Sequence, residues 1–332
     1  MAIGVGVGVV AFVVGLVVGN MTSASDDTTL APPTSPPPVD VGVTTSTTTA
    51  ETTTTTFEPL GPEGGPDELV AATADGRLVV VDLETGDELE LDDVTQHPGA
   101  ESFGRIQLSP DRSIAYYAVL TGAAEGYTAA IATDGTSSGA ARVADGISGA
   151  LDADGSRLLT VSSPSEPGVV VTDLDRGESR FVPDGEGRRL RHPSWVPDGG
   201  DVAFAEVVDE SSPSVLVLVD TNADDLAGLP VRAAPSGGGW TLPIWRNLSS
   251  LWVVEQCCGV ASLSGEARFF VADPEDNDED PGPVADTPPV LHQEYDTTTS
   301  WLVYVTTDGV ARWAGGGELG VELGDGYLAA DW

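Results

Sequence analysis

The chain has 332 residues, of which 14 are basic and 53 acidic, for a formal charge of −39. A field of that sign repels phosphate backbones and anionic lipid headgroups, which excludes nucleic acid as a partner and favours cations or basic proteins; adaptation to a salty habitat accounts for the acidity equally well. All fourteen basic residues are arginine, so Schiff-base lysine chemistry and a P-loop are excluded too.

The first element is the uncharged run Ala2 to Gly19. About 18 helical residues at about 1.5 Å each span close to 27 Å of a roughly 30 Å hydrocarbon layer, which predicts one transmembrane or signal-anchor helix over residues 1–21. The alternative is a secretory leader cleaved near Thr22-Ser23-Ala24. No arginine precedes the run to fix its cytoplasmic end, so a start upstream of Met1, with a cytoplasmic signalling domain, is a further expectation to weigh. Gly4, Gly8, Ala11, Gly15 and Gly19 fall on one helical face, the pattern that permits close helix approach and a dimer.

Residues 22–66 change character, with Pro32-Pro33, Pro36-Pro37-Pro38 and the run Thr52 to Thr56. Such a stretch cannot build a core. It predicts a disordered, semi-extended stalk reaching at most about 140 Å, with hydroxyls available for glycosylation.

From residue 67 to 332 the pattern is strand and turn. Short apolar runs begin at Ile114, Leu158, Val202, Leu251 and Leu302, and positions 114, 158, 202, 251 and 302 are separated by 44, 44, 49 and 51 residues. These intervals suit propeller blades, and the runs are too short and too rich in Val, Tyr, Trp and Phe for helical repeats. Third strands are expected at Leu78–Val81, Val169–Thr172, Val215–Leu218 and Phe269–Val271, each followed by an aspartate (Asp82, Asp173, Asp220, Asp273) that starts a turn. Fourth strands follow at Glu88–Leu91 and Arg180–Val182. The first unit, from Glu68, lacks a leading strand, whereas Tyr327 to Trp332 is a leading strand with nothing after it. Pairing the two removes an exposed edge and closes an all-β ring of about six blades.

Turn motifs precede the second strands: Leu108-Ser109-Pro110-Asp111, Leu151-Asp152-Ala153-Asp154-Gly155 and Pro193-Ser194-Trp195-Val196-Pro197-Asp198-Gly199, the last followed by Val202-Ala203-Phe204. This last segment resembles the repeat of TolB-type, WD40-like (PD40-type) propellers, P-x-W-S-P-D-G and an Ile-Ala-Phe-like strand. The resemblance covers about residues 66 to 332, although the Gly-His and Trp-Asp dipeptides of true WD40 blades are absent. With its arginine-only composition and Thr-Pro stalk the chain is similar to membrane-anchored propeller proteins of actinobacterial type. The resemblance implies binding of proteins or peptides rather than catalysis.

The candidate binding surface is the arginine cluster Arg188, Arg189 and Arg191 with His192, at the entry to a blade, together with His97 and Trp240 on the same end of the ring. Arginine can hold a partner's carboxylates or phosphates while Trp240 packs on its apolar part; pairing with the protein's own acids is the plainer expectation. Adjacent Cys257 and Cys258, outside the cytoplasm, are expected to form a vicinal disulfide in a hairpin. Asp276, Asp278 and Asp280 offer oxygens to calcium, but Pro281 stands where an EF-hand needs Gly and Thr287 where it needs Glu, so a solvated loop without cofactor is expected instead. No Gly-x-Ser-x-Gly elbow is present, and none of His97, His192 and His292 is spaced to pair with a particular nucleophile. The expected function is therefore a non-catalytic, extracytoplasmic binding module on a single-pass anchor, meeting a protein or peptide partner outside the cell. A propeller hydrolase or lactonase with a channel metal and a sensor ectodomain are the alternatives.

Overall fold

Alternating apolar runs punctuated by aspartate and glycine give strands throughout. The computed structural model describes residues 67–122, 125–196, 200–209, 212–227, 231–232, 239–247, 250–256, 267–272, 285–287, 290–296, 301–315 and 318–332. The segment over 1–66, both cysteines and the three candidate calcium aspartates lie outside these residues. Among the described residues no helix is long and apolar enough to cross a membrane.

The strands form four-stranded antiparallel sheets. Sheet 1 joins Tyr327–Asp331, Glu68–Thr73, Arg77–Asp82 and Glu88–Asp93; sheet 2 joins Ser102–Leu108, Ile114–Gly122, Glu125–Ala132 and Ala141–Asp145. Sheet 3 runs from Ile147–Leu151 through Arg157–Val161 and Gly168–Asp173 to Glu178–Pro183. Sheets 4, 5 and 6 begin with Arg189–Trp195, Gly239–Asn247 and Val290–Asp296. Each leading strand touches the leading strand of the next sheet, and that of sheet 6 touches Tyr327–Asp331 of sheet 1. The result is a β-propeller, with the leading strands around its axis.

Closure follows the expected pairing. Val70 lies opposite Asp331, Ala71 opposite Ala330 and Ala72 opposite Ala329, so the last strand completes the first sheet. Between sheets 1 and 6, Leu69, Ala71, Val79, Val303, Val305, Trp313, Tyr327 and Trp332 form one buried cluster. A second cluster locks sheet 3 to sheet 4 through Leu159, Val169, Leu190, Trp195, Ala203 and Val217. Packing of this kind, sheet face on sheet face, stabilises the ring by removing apolar surface from water.

The turn chemistry read from the sequence is present. Asp82 Oδ1 accepts from the amides of Glu84 and Thr85 at 2.9 and 2.8 Å, Asp173 Oδ1 from Arg176 at 2.9 Å and Asp220 Oδ1 from Asn222 at 2.9 Å. Gly86 and Gly177 take φ of 75° and 66° in the first two of these turns, a conformation a β-carbon would oppose.

Candidate functional site

The leading strands share an irregularity that aims side chains at the axis. In sheets 2, 3, 4 and 5 two residues face one on the neighbouring strand: Gly104-Arg105, Ser148-Gly149, His192-Pro193 and Leu242-Pro243. Such bulges bend a strand and re-aim what it carries. Ser148, His192 and Leu242 take φ of 56°, 45° and 51°, a region costing a non-glycine residue roughly 1–3 kcal/mol and found preferentially where function requires it. At the second bulge position the residues are Arg105, Gly149, Pro193 and Pro243, so one of four equivalent places carries charge.

Arg105 uses that place to bridge three sheets. Its Nε and Nη2 donate to Oε1 and Oε2 of Glu294 on sheet 6 at 2.5 and 3.2 Å, and Nη1 donates to the Pro193 carbonyl of sheet 4 at 2.5 Å. The two side chains are 5% and 2% exposed. A buried pair of this kind repays its desolvation only with such complete hydrogen bonding. Gln107 donates to Glu294 at 3.5 Å and accepts from the Leu151 amide of sheet 3. Burial lifts the Glu294 carboxyl above its usual range, against the charge and hydrogen bonds of Arg105.

Two histidines flank this pair. His292 is fully buried, its ring bonds the Ala330 main chain, and its Nε2 has no hydrogen-bond partner; Glu294 Oε1 is 3.8 Å away. Burial first, then the charges of Arg105 and His192, hold its pKa well below the ordinary histidine value. His192 Nδ1 meets Glu206 Oε2 at 2.8 Å. No group of three or more His, Cys, Asp or Glu among the described residues is arranged to hold a metal ion.

Outward of the Arg105–Glu294 pair the axis opens into a cavity of about 240 Å³. Every sheet contributes to its wall: Gln107, Leu151, Trp195, Ile244, Glu294 and Asp331 come from sheets 2, 3, 4, 5, 6 and 1 in turn. The rim is the turn motifs themselves, with Ser109, Pro110, Arg112, Asp152 and Ala153. Trp195, the motif tryptophan, donates its indole N–H to Ala150 O at 2.9 Å, and Arg157 lies 4.5 Å over its ring. Arg157 is in turn held by Asp152 at 2.7 Å and Asp201 at 2.9 Å. Asp331 accepts from the amides of Leu108 at 2.8 Å and Trp332 at 2.9 Å.

The residues singled out from the sequence lie elsewhere. Only Arg188 sits in the connection between blades; Arg189, Arg191 and His192 belong to the leading strand of sheet 4, because that strand begins at Arg189 rather than beyond His192. Arg188, Arg189 and Arg191 all line a small cleft of about 20 Å³ against sheet 3. Arg188 is committed to Asp184 at 2.8 Å and to the Leu226 carbonyl at 2.6 Å. His97 bridges Asp92 at 2.6 Å and the Tyr127 hydroxyl at 2.7 Å, between sheets 1 and 2. Trp240 is on the leading strand of sheet 5, and its side chain lies outside the described residues. The arginine cleft and the axial cavity occupy opposite ends of the same strand, roughly 20 Å apart for seven residues.

No protein-family model and no curated protein matches this sequence. Solved structures do share its fold. TolB from Acinetobacter baumannii aligns at a TM-score of 0.53 with 12% identity over 79% of this chain and 66% of that one. A provisionally assigned TolB from Agrobacterium tumefaciens aligns at 0.44 with 15% identity, over 63% of this chain and 78% of that one. This chain thus spans just under two thirds of the Acinetobacter protein. The fold is that of TolB-type β-propellers.

Proposed function

We propose that the chain is a non-catalytic binding module, a propeller of six blades whose ligand enters the axial cavity where the leading strands end. One observation carries this reading. The cavity is the one place where side chains from all the sheets converge, and it is built from the repeated turn motifs and the strained bulges beneath them. Concave sites that gather a few polar groups from several elements are the usual ligand sites of proteins. TolB-type propellers, which share the fold, are consistent with a protein or peptide partner.

The apolar run over 1–21 and the Thr-Pro stretch over 22–66 support a location outside the cell on a single-pass anchor and stalk, with secretion after cleavage or an upstream signalling domain as variants of the same arrangement. A dimer through the glycine face of the anchor is part of this proposal. A channel-metal hydrolase is disfavoured by a specific contact: the axial carboxylate Glu294 is already neutralised by Arg105 through two hydrogen bonds.

The experiment is partner capture from the native host with the full chain and with Ala153→Trp. Ala153 is exposed on the cavity rim, so the indole fills the mouth without entering the core. Loss of the captured partner supports the reading; undiminished capture refutes it.

A further inference from the structure

The cavity's hydrogen-bonding character is one-sided. Its main-chain and side-chain donors are largely turned inward: the Leu108 and Trp332 amides to Asp331, the Leu151 amide to Gln107, the Gln107 amide nitrogen to Glu294 and the Trp195 indole to Ala150. What faces the cavity is acceptor oxygen, with three carboxylates (Asp152, Glu294, Asp331) against one guanidinium, Arg112, on the rim. Ionised carboxylates offer about four acceptor positions each and no donor. An anionic group would find few donors and a repelling wall.

The axis also shows what it accepts. Immediately inward, the guanidinium of Arg105 is held by the same Glu294 carboxylate and by a strand carbonyl. The surrounding chain carries −39, a field that steers cations toward it. At about 240 Å³ the cavity is smaller than the roughly 300–1,000 Å³ of sites that enclose a whole drug-sized ligand, so it suits one long side chain of a larger partner.

Resting on the axial reading above, we infer that the cavity takes a guanidinium or ammonium group on an aliphatic stem, supplied by an arginine or lysine of a polypeptide partner. The stem lies along Ile244, Leu151 and Trp195, and the charged end is solvated by Glu294 and Asp331.

The test titrates the full chain with acetyl-Gly-Gly-Xaa-Gly-Gly-amide, where Xaa is arginine, lysine, citrulline or glutamate, and with agmatine as a free amine. Arginine and lysine peptides are expected to bind about tenfold or more tightly than citrulline, the neutral isostere of arginine, with glutamate weakest. Asp331→Asn should reduce the arginine preference over citrulline by about fivefold while leaving citrulline binding unchanged. Agmatine binding as tightly as the arginine peptide would assign the site to free amines and overturn the polypeptide source. Equal binding of arginine and citrulline peptides, both abolished by Ala153→Trp, overturns the charge inference and leaves the axial reading standing. Arginine-peptide binding indifferent to Ala153→Trp overturns both, and absence of any binding at millimolar peptide overturns the inference.

Discussion

Arg105 and Glu294 are 189 residues apart in sequence and meet on the propeller axis through two hydrogen bonds, at 2.5 and 3.2 Å. Because Arg105 also grips Pro193, one side chain ties sheets 2, 4 and 6 together and forms the inner limit of the cavity. Removing either partner leaves a buried charge without its counter-ion. Arg105→Ala or Glu294→Ala in the full chain should each cost about 3–5 kcal/mol in denaturant unfolding, and the double change Arg105→Met with Glu294→Leu should recover most of it. Single variants as stable as the parent would show that the pair does not bolt the ring.

Closure at sheet 1 gives a second prediction. Deleting Tyr327 to Trp332 removes the leading strand paired with Glu68–Thr73 and the Asp331 carboxylate that caps Leu108. The bared edge should drive oligomerisation or unfolding, seen by sedimentation and loss of a cooperative melt. A monomer with unchanged melting would contradict closure by this strand.

Much of the ring was legible because its signals are local. Aspartate turns, glycines with positive φ and β-branched runs are specified within a few residues, and they appear at Asp82, Asp173 and Asp220 as read. The site was not legible for the opposite reason. Arg105 looks like an isolated strand arginine until the bulges align it with Gly149, Pro193 and Pro243, and each bulge breaks the two-residue alternation that a strand reading depends on. Glu294 and Tyr295 resemble a degraded turn motif in sequence, yet they belong to the leading strand of sheet 6. The Arg188 cluster drew notice because it is contiguous, whereas the axial residues become neighbours only when the ring closes.

The pH dependence of stability follows from His292. Its folded pKa lies well below the unfolded value of 6.5 because burial disfavours the charged ring. Its contribution is therefore complete above about pH 6.5 and is lost as pH falls below that value, because the unfolded chain then binds a proton that the folded chain refuses. Glu294, raised from 4.5 by burial, acts in the opposite sense at lower pH, so the slope beginning near 6.5 belongs to the histidine. His292→Gln should flatten the unfolding free energy between neutral pH and the upper carboxylate range; an unchanged slope would place the dependence elsewhere.

A fourth prediction concerns the contact between sheets 1 and 2. Asp92, 2% exposed, accepts from both the Tyr117 hydroxyl and His97, and the Tyr127 hydroxyl reaches the other nitrogen of His97. Tyr117→Phe removes one donor from a buried carboxylate and should cost about 1–3 kcal/mol in denaturant unfolding. His97 thus serves as a strut between blades, and His97→Gln should lower stability without altering peptide binding at the axis.

Site-specific photo-cross-linking in the native host separates the two ends of the ring most directly. A photoreactive residue is placed at Ala153 on the axial rim or at Glu186 beside the arginine cleft, in the full chain. Partner adducts from position 153 and none from 186 are the predicted result; adducts from position 186 with none from 153 would contradict the axial site.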